Sequence, residues 1–135
     1  MAFKTMYESA FYRIEADVEN NIIRSKWLKS VNAEEVEAGG TMLYEVLRDT
    51  RITRVIANAQ AFETLSAEAK EWMSTTFYEL LSKTKLQKIA RVLPLNVFYR
   101  IALESVATRA DALGITKFEV KNFTNDEDAL MWVEI

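Results

Sequence analysis

Cysteine and histidine are both absent from the 135 residues of this sequence. Without cysteine the chain can form no disulfide and offers no thiol nucleophile, so nothing marks it for an oxidising compartment. Without histidine it lacks the usual general base at neutral pH, and zinc loses both of its commonest nitrogen and sulfur ligands. These absences remove most hydrolase and redox mechanisms, and we expect a protein that is not an enzyme and holds no metal.

Glycine and proline are scarce, with three glycines and one proline in the whole chain. No glycine-rich phosphate loop is present, because Gly39 and Gly40 are adjacent and fall inside a predicted helix. We therefore expect no nucleotide and no other cofactor. Linkers rich in glycine, serine or proline are also missing, as are internal repeats, which predicts a single continuous domain over residues 1–135.

Long apolar runs and an excess of positive charge are lacking as well. No segment approaches the length of a membrane-spanning helix, and the first residues alternate polar and aromatic types instead of forming the apolar core of a signal peptide. The sequence predicts a cytoplasmic protein without integral membrane association. Its net charge of -3 disfavours nucleic-acid binding, which needs a basic surface. The most basic stretch, from Lys83 through Arg91 to Arg100, is interpreted as a solvated edge.

What is present is an ordinary globular composition, half hydrophobic and about a quarter charged, with regular apolar spacing. Alternating residues over 7–18, a short turn and a second alternating run over 22–29 predict an antiparallel hairpin. The phase of the alternation changes within the first run, which we interpret as a β-bulge. Asn32 and Glu35 then predict a capping box at the start of a helix that ends near Asp49.

Two short apolar runs, over 52–59 and 86–93, predict strands that are covered on both faces. The buried positions expected in them are Val55, Ile56, Ile89 and Val92. A helix follows each run, the first capped by Ser66 and the second ended by Gly114, and a last strand precedes a short helix capped by Asn125. This order predicts an α/β fold: one domain with a mostly parallel sheet of about five strands, an N-terminal antiparallel hairpin and about four helices.

The element order covers essentially the whole chain, and three segments add to it: Leu65–Glu68 before Trp72, Lys88–Val92 and Phe123–Trp132. Together they resemble the STAS domains of anti-sigma factor antagonists, especially the SpoIIAA-like, or STAS/Sec14-like, bacterial proteins of similar length. The resemblance implies a SpoIIAA-like fold and a non-catalytic protein-interaction or regulatory module. Those antagonists carry an Asp-Ser-Ser-Gly type of sequence whose serine is phosphorylated, and residues 58–66 depart from it, with no glycine and no Asp-Ser pair.

The loop after the central strand is the predicted binding region, because α/β folds place ligand sites at the carboxyl ends of parallel strands. Its candidate residues are Asn58, Gln60, Glu63, Thr64 and Ser66. Ser66 is the nearest match in position to the phosphorylated serine of the resembled family, and a phosphate there would lie at the start of a helix. The alternative is that Ser66 acts only as a helix cap.

One tryptophan and a pair of glycines complete the candidates. Trp27, beside Lys26 and Lys29 on a hairpin strand, is predicted to be partly exposed and to anchor a partner. Gly39 and Gly40 together cost about 2 kcal/mol of helix stability relative to alanine. That cost indicates a close approach of their helix to the sheet or to a partner.

Two functions follow from these observations. In the first, the domain contacts another protein, or a second copy of itself, through loops at helix starts or through edge strands. In the second, suggested by the Sec14-like side of the resemblance, it binds a small apolar ligand or a lipid beneath a mobile helix. An internal cavity lined by Phe98, Phe77 and Trp72 would favour the second function. Phe98 is predicted to share one apolar face of its helix with Ile101 and Val106.

Overall fold

Six β-strands form one sheet in which every strand lies next to its neighbour along the chain. The computed structural model describes residues 2–135. The first three strands pair antiparallel, and the third to the sixth pair parallel. The strands are β1 (Lys4–Glu8), β2 (Tyr12–Asp17), β3 (Ile22–Trp27), β4 (Arg54–Asn58), β5 (Lys88–Val92) and β6 (Glu119–Phe123). The predicted α/β class with an antiparallel N-terminal part is confirmed, with six strands where about five were expected.

The helices connect the parallel strands or follow the last of them. They are α1 (Ala33–Thr50), α2 (Ala67–Trp72), α3 (Tyr78–Ser82), α4 (Val97–Ala112) and α5 (Asp126–Val133), and a π-helical segment, Met73–Phe77, joins α2 to α3 without a break. Because right-handed crossovers add consecutive parallel strands in one direction, α1 to α4 lie on the same face of the sheet, where they contact one another. Helix α5 covers the other face and contacts β4, β5 and β6.

The two faces of the sheet carry separate apolar cores. The larger core lies between the sheet and α1–α4 and contains buried side chains from each of these helices. The smaller core lies under α5 and contains Ile22, Ile56, Ala90, Val92, Ala129 and Val133. Because β4 and β5 contribute to both cores, their apolar residues follow one another with little alternation. The predicted burial of Val55, Ile56, Ile89 and Val92 is confirmed.

Asparagine and serine side chains begin the helices as predicted. Asn32 Oδ1 accepts a hydrogen bond from the Glu35 N–H at 2.8 Å, and the Glu35 carboxylate accepts one from the Asn32 N–H at 3.0 Å, which completes the capping box. Ser66 and Asn125 cap α2 and α5. Gly114 has a φ of 72° just after α4, the left-handed conformation that closes a helix end.

The predicted first strand over 7–18 is wrong in its extent, because the chain turns within it. In that turn the Ser9 Oγ accepts hydrogen bonds from the N–H groups of Phe11 and Tyr12, both at 3.2 Å. The change of alternation phase therefore marks the turn between β1 and β2, and the bulge lies earlier, within β1 itself. A serine side chain supplies here the turn for which glycine or asparagine is the more obvious signal.

The adjacent glycines let α1 approach two aromatic side chains closely. A Cβ atom at Gly39 would lie 2.5 Å from Cη2 of Trp27, and one at Gly40 would lie 2.8 Å from Cη2 of Trp72. Trp27 belongs to β3 and Trp72 to α2, so both glycines serve packing within the chain. The expected close approach of this helix to the sheet is confirmed.

Candidate functional site

The first part of the loop after β4 is anchored to the start of α5. Asn58 is buried at the end of β4, where its Nδ2 donates to the Asp126 carboxylate at 3.1 Å and its Oδ1 accepts from the Gln60 N–H at 2.9 Å. The Gln60 Nε2 donates to the Thr124 carbonyl at 2.9 Å. Asn58 and Gln60 are therefore brought together, and their hydrogen bonds hold the loop against the β6–α5 junction.

The second part of the same loop is open to solvent. Its exposed candidate residues are Glu63, Thr64 and Ser66. The Ser66 Oγ accepts a hydrogen bond from the Ala69 N–H at 3.1 Å, so the predicted capping role is confirmed. Phosphorylation of Ser66 stays a prediction.

A cavity of about 50 Å³ lies between the sheet and the helices α1 to α4. Its wall is almost entirely apolar and includes Trp27, Trp72, Met73, Phe77, Tyr78 and Leu103. Met73 and Phe77 are the first and last residues of the π-helical segment. Such segments widen one helical turn and are frequent at functional sites. The cavity is therefore a candidate for a binding site in the interior.

Arg91 is the one charged residue among those that line the cavity. It is only 6 % exposed, so its predicted position on a solvated edge is wrong. Its Nε donates to Asn122 Oδ1 at 3.0 Å, and its Nη1 donates to the Leu103 carbonyl at 2.7 Å and lies 3.4 Å from the Tyr78 hydroxyl. Its Nη2 is buried without a hydrogen-bond partner.

The positive charge of Arg91 is not balanced by a carboxylate. Among residues 2–135, none of the ion pairs within 4.0 Å involves this side chain. A guanidinium does not deprotonate in proteins, so the charge is permanent. The sequence did contain a signal for this burial. Arg91 lies two residues from Ile89 and from Leu93, and side chains two apart on a strand share a face.

Trp27 is 7 % exposed, so its predicted partial exposure is wrong, and its role as a partner anchor stays a prediction. Its ring stacks on that of Tyr12, with the ring centroids 3.9 Å apart, and the centroid of Phe62 lies 5.1 Å away. Burial raises the pKa of Tyr12 far above its ordinary value, so its hydroxyl stays neutral. Trp27 and Tyr12 instead form a packed aromatic part of the cavity wall.

Helix α4 presents large apolar side chains to the solvent. Phe98 is 77 % exposed and Ile101 is 55 % exposed, whereas Leu103 and Val106 are buried against the sheet. The predicted apolar face therefore mixed the two sides of the helix. Phe98 does not line the cavity, while Phe77 and Trp72 do. We name the exposed series the α4 outer row; its members, none of them charged, are Val97, Phe98, Ile101, Ser105, Thr108 and Ala112.

The two hydroxyl groups in the α4 outer row are satisfied within the helix. The Ser105 Oγ donates to the Ala102 carbonyl at 2.7 Å, and the Thr108 Oγ1 donates to the Glu104 carbonyl at 3.1 Å. Hydroxyls bonded back to their own helix have no donor left for another partner. The outer row therefore offers mainly carbon surface along its whole length.

The acidic residues at the start of α1 and α5 lie in the first turn of each helix. Their negative charge offsets the helix dipole there, which is a common structural role. Within residues 2–135, no three carboxylates lie close enough together to hold a metal ion. In the same part of the chain, no helix combines the length and the apolar character needed to cross a membrane.

Comparison with known structures identifies the fold. A crystal structure of an uncharacterised protein of the DUF3478 family with a SpoIIAA-like fold, from Shewanella loihica PV-4, matches with a TM-score of 0.54 at 19 % sequence identity. The match covers 98 % of this chain and 92 % of that chain. No protein-family model matches the sequence, and no curated protein sequence matches it either. The chain has a SpoIIAA-like fold, as the resemblance of its sequence implied.

Proposed function

We propose that this SpoIIAA-like domain is a non-catalytic protein-interaction module whose contact surface is the α4 outer row. The supporting observation is the exposure of large apolar side chains at the start of α4: Leu95 is 75 % exposed and Val97 45 %, in addition to Phe98 and Ile101. Contiguous exposed apolar surface typically marks a contact site. A helix with apolar residues on both faces is typical of a helix that is covered on both.

The partner that we propose is a second copy of this chain. The outer row has a bulky half followed by a half of small residues: Val97, Phe98 and Ile101, then Ser105, Thr108 and Ala112. Two α4 helices that pack antiparallel about a two-fold axis near residue 103 place Phe98 opposite Thr108 of the second copy. The same axis places Ile101 opposite Ser105. In these two pairs a large side chain lies on a small one in both copies, and the two-fold axis repeats each pair.

Charged residues flank the outer row without entering it. Arg109 pairs sideways with Glu71 of α2 at 2.9 Å. Glu104 and Asp111 border a groove beside β6. A dimer through the outer row therefore leaves these charges at its solvated rim, where polar residues of an interface are usually found.

Self-association is tested by sedimentation velocity from low to high micromolar protein. We expect the parent protein to change from monomer to dimer with concentration, and the double variant Phe98→Ser with Ile101→Ser to stay monomeric. Leu113→Ser and Met131→Ser are matched controls, because both side chains are apolar and exposed but lie outside the outer row. Both controls are expected to dimerise like the parent.

Three results contradict the proposal. The first is a parent protein that stays monomeric over the whole concentration range. The second is a monomer that binds phospholipid vesicles through Phe98, because a lipid surface is then the occupant of the outer row. The third is loss of the dimer in the controls as well as in the double variant, which places the interface elsewhere.

A second function, the binding of a small ligand, is favoured by the cavity between the sheet and α1–α4. Its volume of about 50 Å³ lies between the roughly 10–15 Å³ that holds a water molecule and the roughly 150 Å³ that holds benzene. A ligand of a few heavy atoms matches this volume, and a lipid chain exceeds it. This function uses the interior of the domain, so it is independent of self-association.

A further inference from the structure

We infer that the cavity binds a short-chain monocarboxylate, of the size of acetate or propionate, and that Arg91 holds its carboxylate group. The inference rests on the small-ligand function proposed above and names the class of ligand. It combines a small apolar cavity with a permanent buried charge in the wall of that cavity.

Arg91 is a buried cation without a counter-ion. Taking a cation out of water without an anionic partner is strongly unfavourable. The Leu103 carbonyl and the Asn122 side chain supply dipoles to the guanidinium, but they supply no negative charge. A carboxylate bound beside Arg91 supplies that charge and an acceptor for Nη2, which has no hydrogen-bond partner among residues 2–135.

A second arginine shows how this fold satisfies a guanidinium with its own groups. The Nε, Nη1 and Nη2 atoms of Arg54 donate to the carbonyls of Asn21, Val133 and Asn20 at 3.3, 2.7 and 2.6 Å. Every nitrogen of Arg54 thus has an acceptor, whereas Arg91 lacks one at Nη2. Of these two arginines, Arg91 is the one with a buried nitrogen, Nη2, that has no acceptor among residues 2–135.

The surroundings of Arg91 suit a carboxylate with a short apolar tail. Guanidinium and carboxylate form strong charge-assisted hydrogen bonds. Tyr78 also lines the cavity, its hydroxyl lies 3.4 Å from Nη1, and a phenol can donate to a second carboxylate oxygen. Met73 and Phe77 provide apolar wall for one or two carbon atoms. The volume of the cavity sets the upper limit on the tail.

The experiment follows the guanidinium Nε–H signal of Arg91 by nuclear magnetic resonance in nitrogen-labelled protein. Sodium acetate, sodium propionate, acetamide and propionamide are titrated separately at constant ionic strength. The amides match the acids in size and carry no charge. We expect the two acids to shift the signal to saturation, and the two amides to bind at least about tenfold more weakly, because they form no charge-assisted hydrogen bond.

Two variants locate the site. Arg91→Met is expected to abolish acetate binding, measured on the backbone signals of residues that line the cavity. Arg24→Met is the matched control, because Arg24 pairs with Glu15 at 3.2 Å on the strand face that packs under α5, and it should bind acetate like the parent. Should Arg91→Met not fold, the comparison of acids with amides on the parent protein decides the question by itself.

The outcomes separate this inference from the function on which it rests. Equal binding of acids and amides overturns the role of Arg91 and leaves small-ligand binding intact. Failure of all four probes to bind overturns both. Sodium hexanoate, titrated in the same way, tests the size limit, and tighter binding of hexanoate than of propionate overturns it. Unchanged acetate binding by a folded Arg91→Met variant overturns the placement of the carboxylate.

Discussion

Helices α1 and α4 pack on the same face of the sheet but present opposite kinds of surface to the outside. Both begin with an asparagine cap and bury aliphatic side chains. The exposed residues of α1 include the charged Glu34, Arg48 and Asp49, whereas α4 exposes an uncharged outer row and keeps its exposed charges, Arg109 and Asp111, beside that row. The packing of a helix's inner face against the sheet therefore does not determine which kinds of residue its outer face carries. The outer face of α1 carries charged side chains, and the outer row of α4 presents mainly carbon surface.

Truncating a buried side chain on the inner face of α1 or of α4 is expected to lower the free energy of unfolding by similar amounts. These are the largest effects that we expect. Leu47→Ala in α1 and Leu103→Ala in α4 should each lower the free energy of unfolding by about 2–5 kcal/mol, because each removes a buried side chain and leaves a cavity. Urea denaturation measures both values. A cost below about 1 kcal/mol for Leu103→Ala alone would break the comparison, because α4 would then not rely on this face for packing.

Substitution in the glycine pair of α1, which has no counterpart in α4, is expected to have an intermediate effect on the free energy of unfolding. Gly39→Ala should lower the free energy of unfolding by about 1–2 kcal/mol, since the overpacked ring of Trp27 outweighs a gain of about 1 kcal/mol in helix propensity. Ala38→Gly, at the exposed neighbouring position, is the control and should cost about 1 kcal/mol by propensity alone. Thermal unfolding compares the two, and a stabilised Gly39→Ala variant would show that Trp27 moves aside.

Substitutions on the outer faces are expected to change the stability of the monomer least. They should also distinguish α4 from α1 most clearly. In dilute solution, Phe98→Ser and Glu34→Ser should each change the free energy of unfolding by less than about 0.5 kcal/mol, because both side chains are exposed. In concentrated solution, dimerisation should raise the Tm of the parent protein and of Glu34→Ser. The Tm of Phe98→Ser should not rise with concentration. A cost above about 2 kcal/mol for Phe98→Ser in dilute solution would mean that this ring packs within its own chain.

The parts of the fold that depend on local chemistry were predictable from the sequence. The apolar runs around Val55 and Ile89 predicted buried strands, since a strand covered on both faces needs no alternation. Asn32, Ser66 and Asn125 predicted helix starts, because their side chains accept the free N–H groups of a first turn. These signals rest on neighbouring residues, and the rest of the chain does not alter them.

The orientation of α4 was not predictable in the same way. Both of its faces carry apolar residues, so helical periodicity allows two orientations, and only packing against the sheet selects the one that buries Leu103 and exposes Phe98. The turn at Ser9 was missed for a related reason. A serine hydroxyl can replace glycine in a turn, and its sequence signal is weak.

Only part of the candidate site could be predicted from the sequence. Arg91 lies in phase with Ile89 and Leu93, which indicates burial, but it also belongs to a basic stretch of the sequence, and such charge runs are usually solvated. The cavity itself depends on the π-helical segment and on how Trp27 and Trp72 stack around α1. Distances between elements that are far apart in the chain determine its volume, and no single segment contains that information.

The consecutive order of the strands also bears on how the domain forms during its synthesis. Each strand that leaves the ribosome meets its partner at the open edge of the sheet, and none has to insert between two earlier strands. Partners that are close in the chain favour rapid folding, and folding during translation proceeds from the N-terminal part. Until β6 and α5 have been made, however, the nascent sheet keeps an unpaired edge and an uncovered apolar face over Ile56 and Val92. At that stage the nascent chain exposes an edge and an apolar surface that are prone to aggregation.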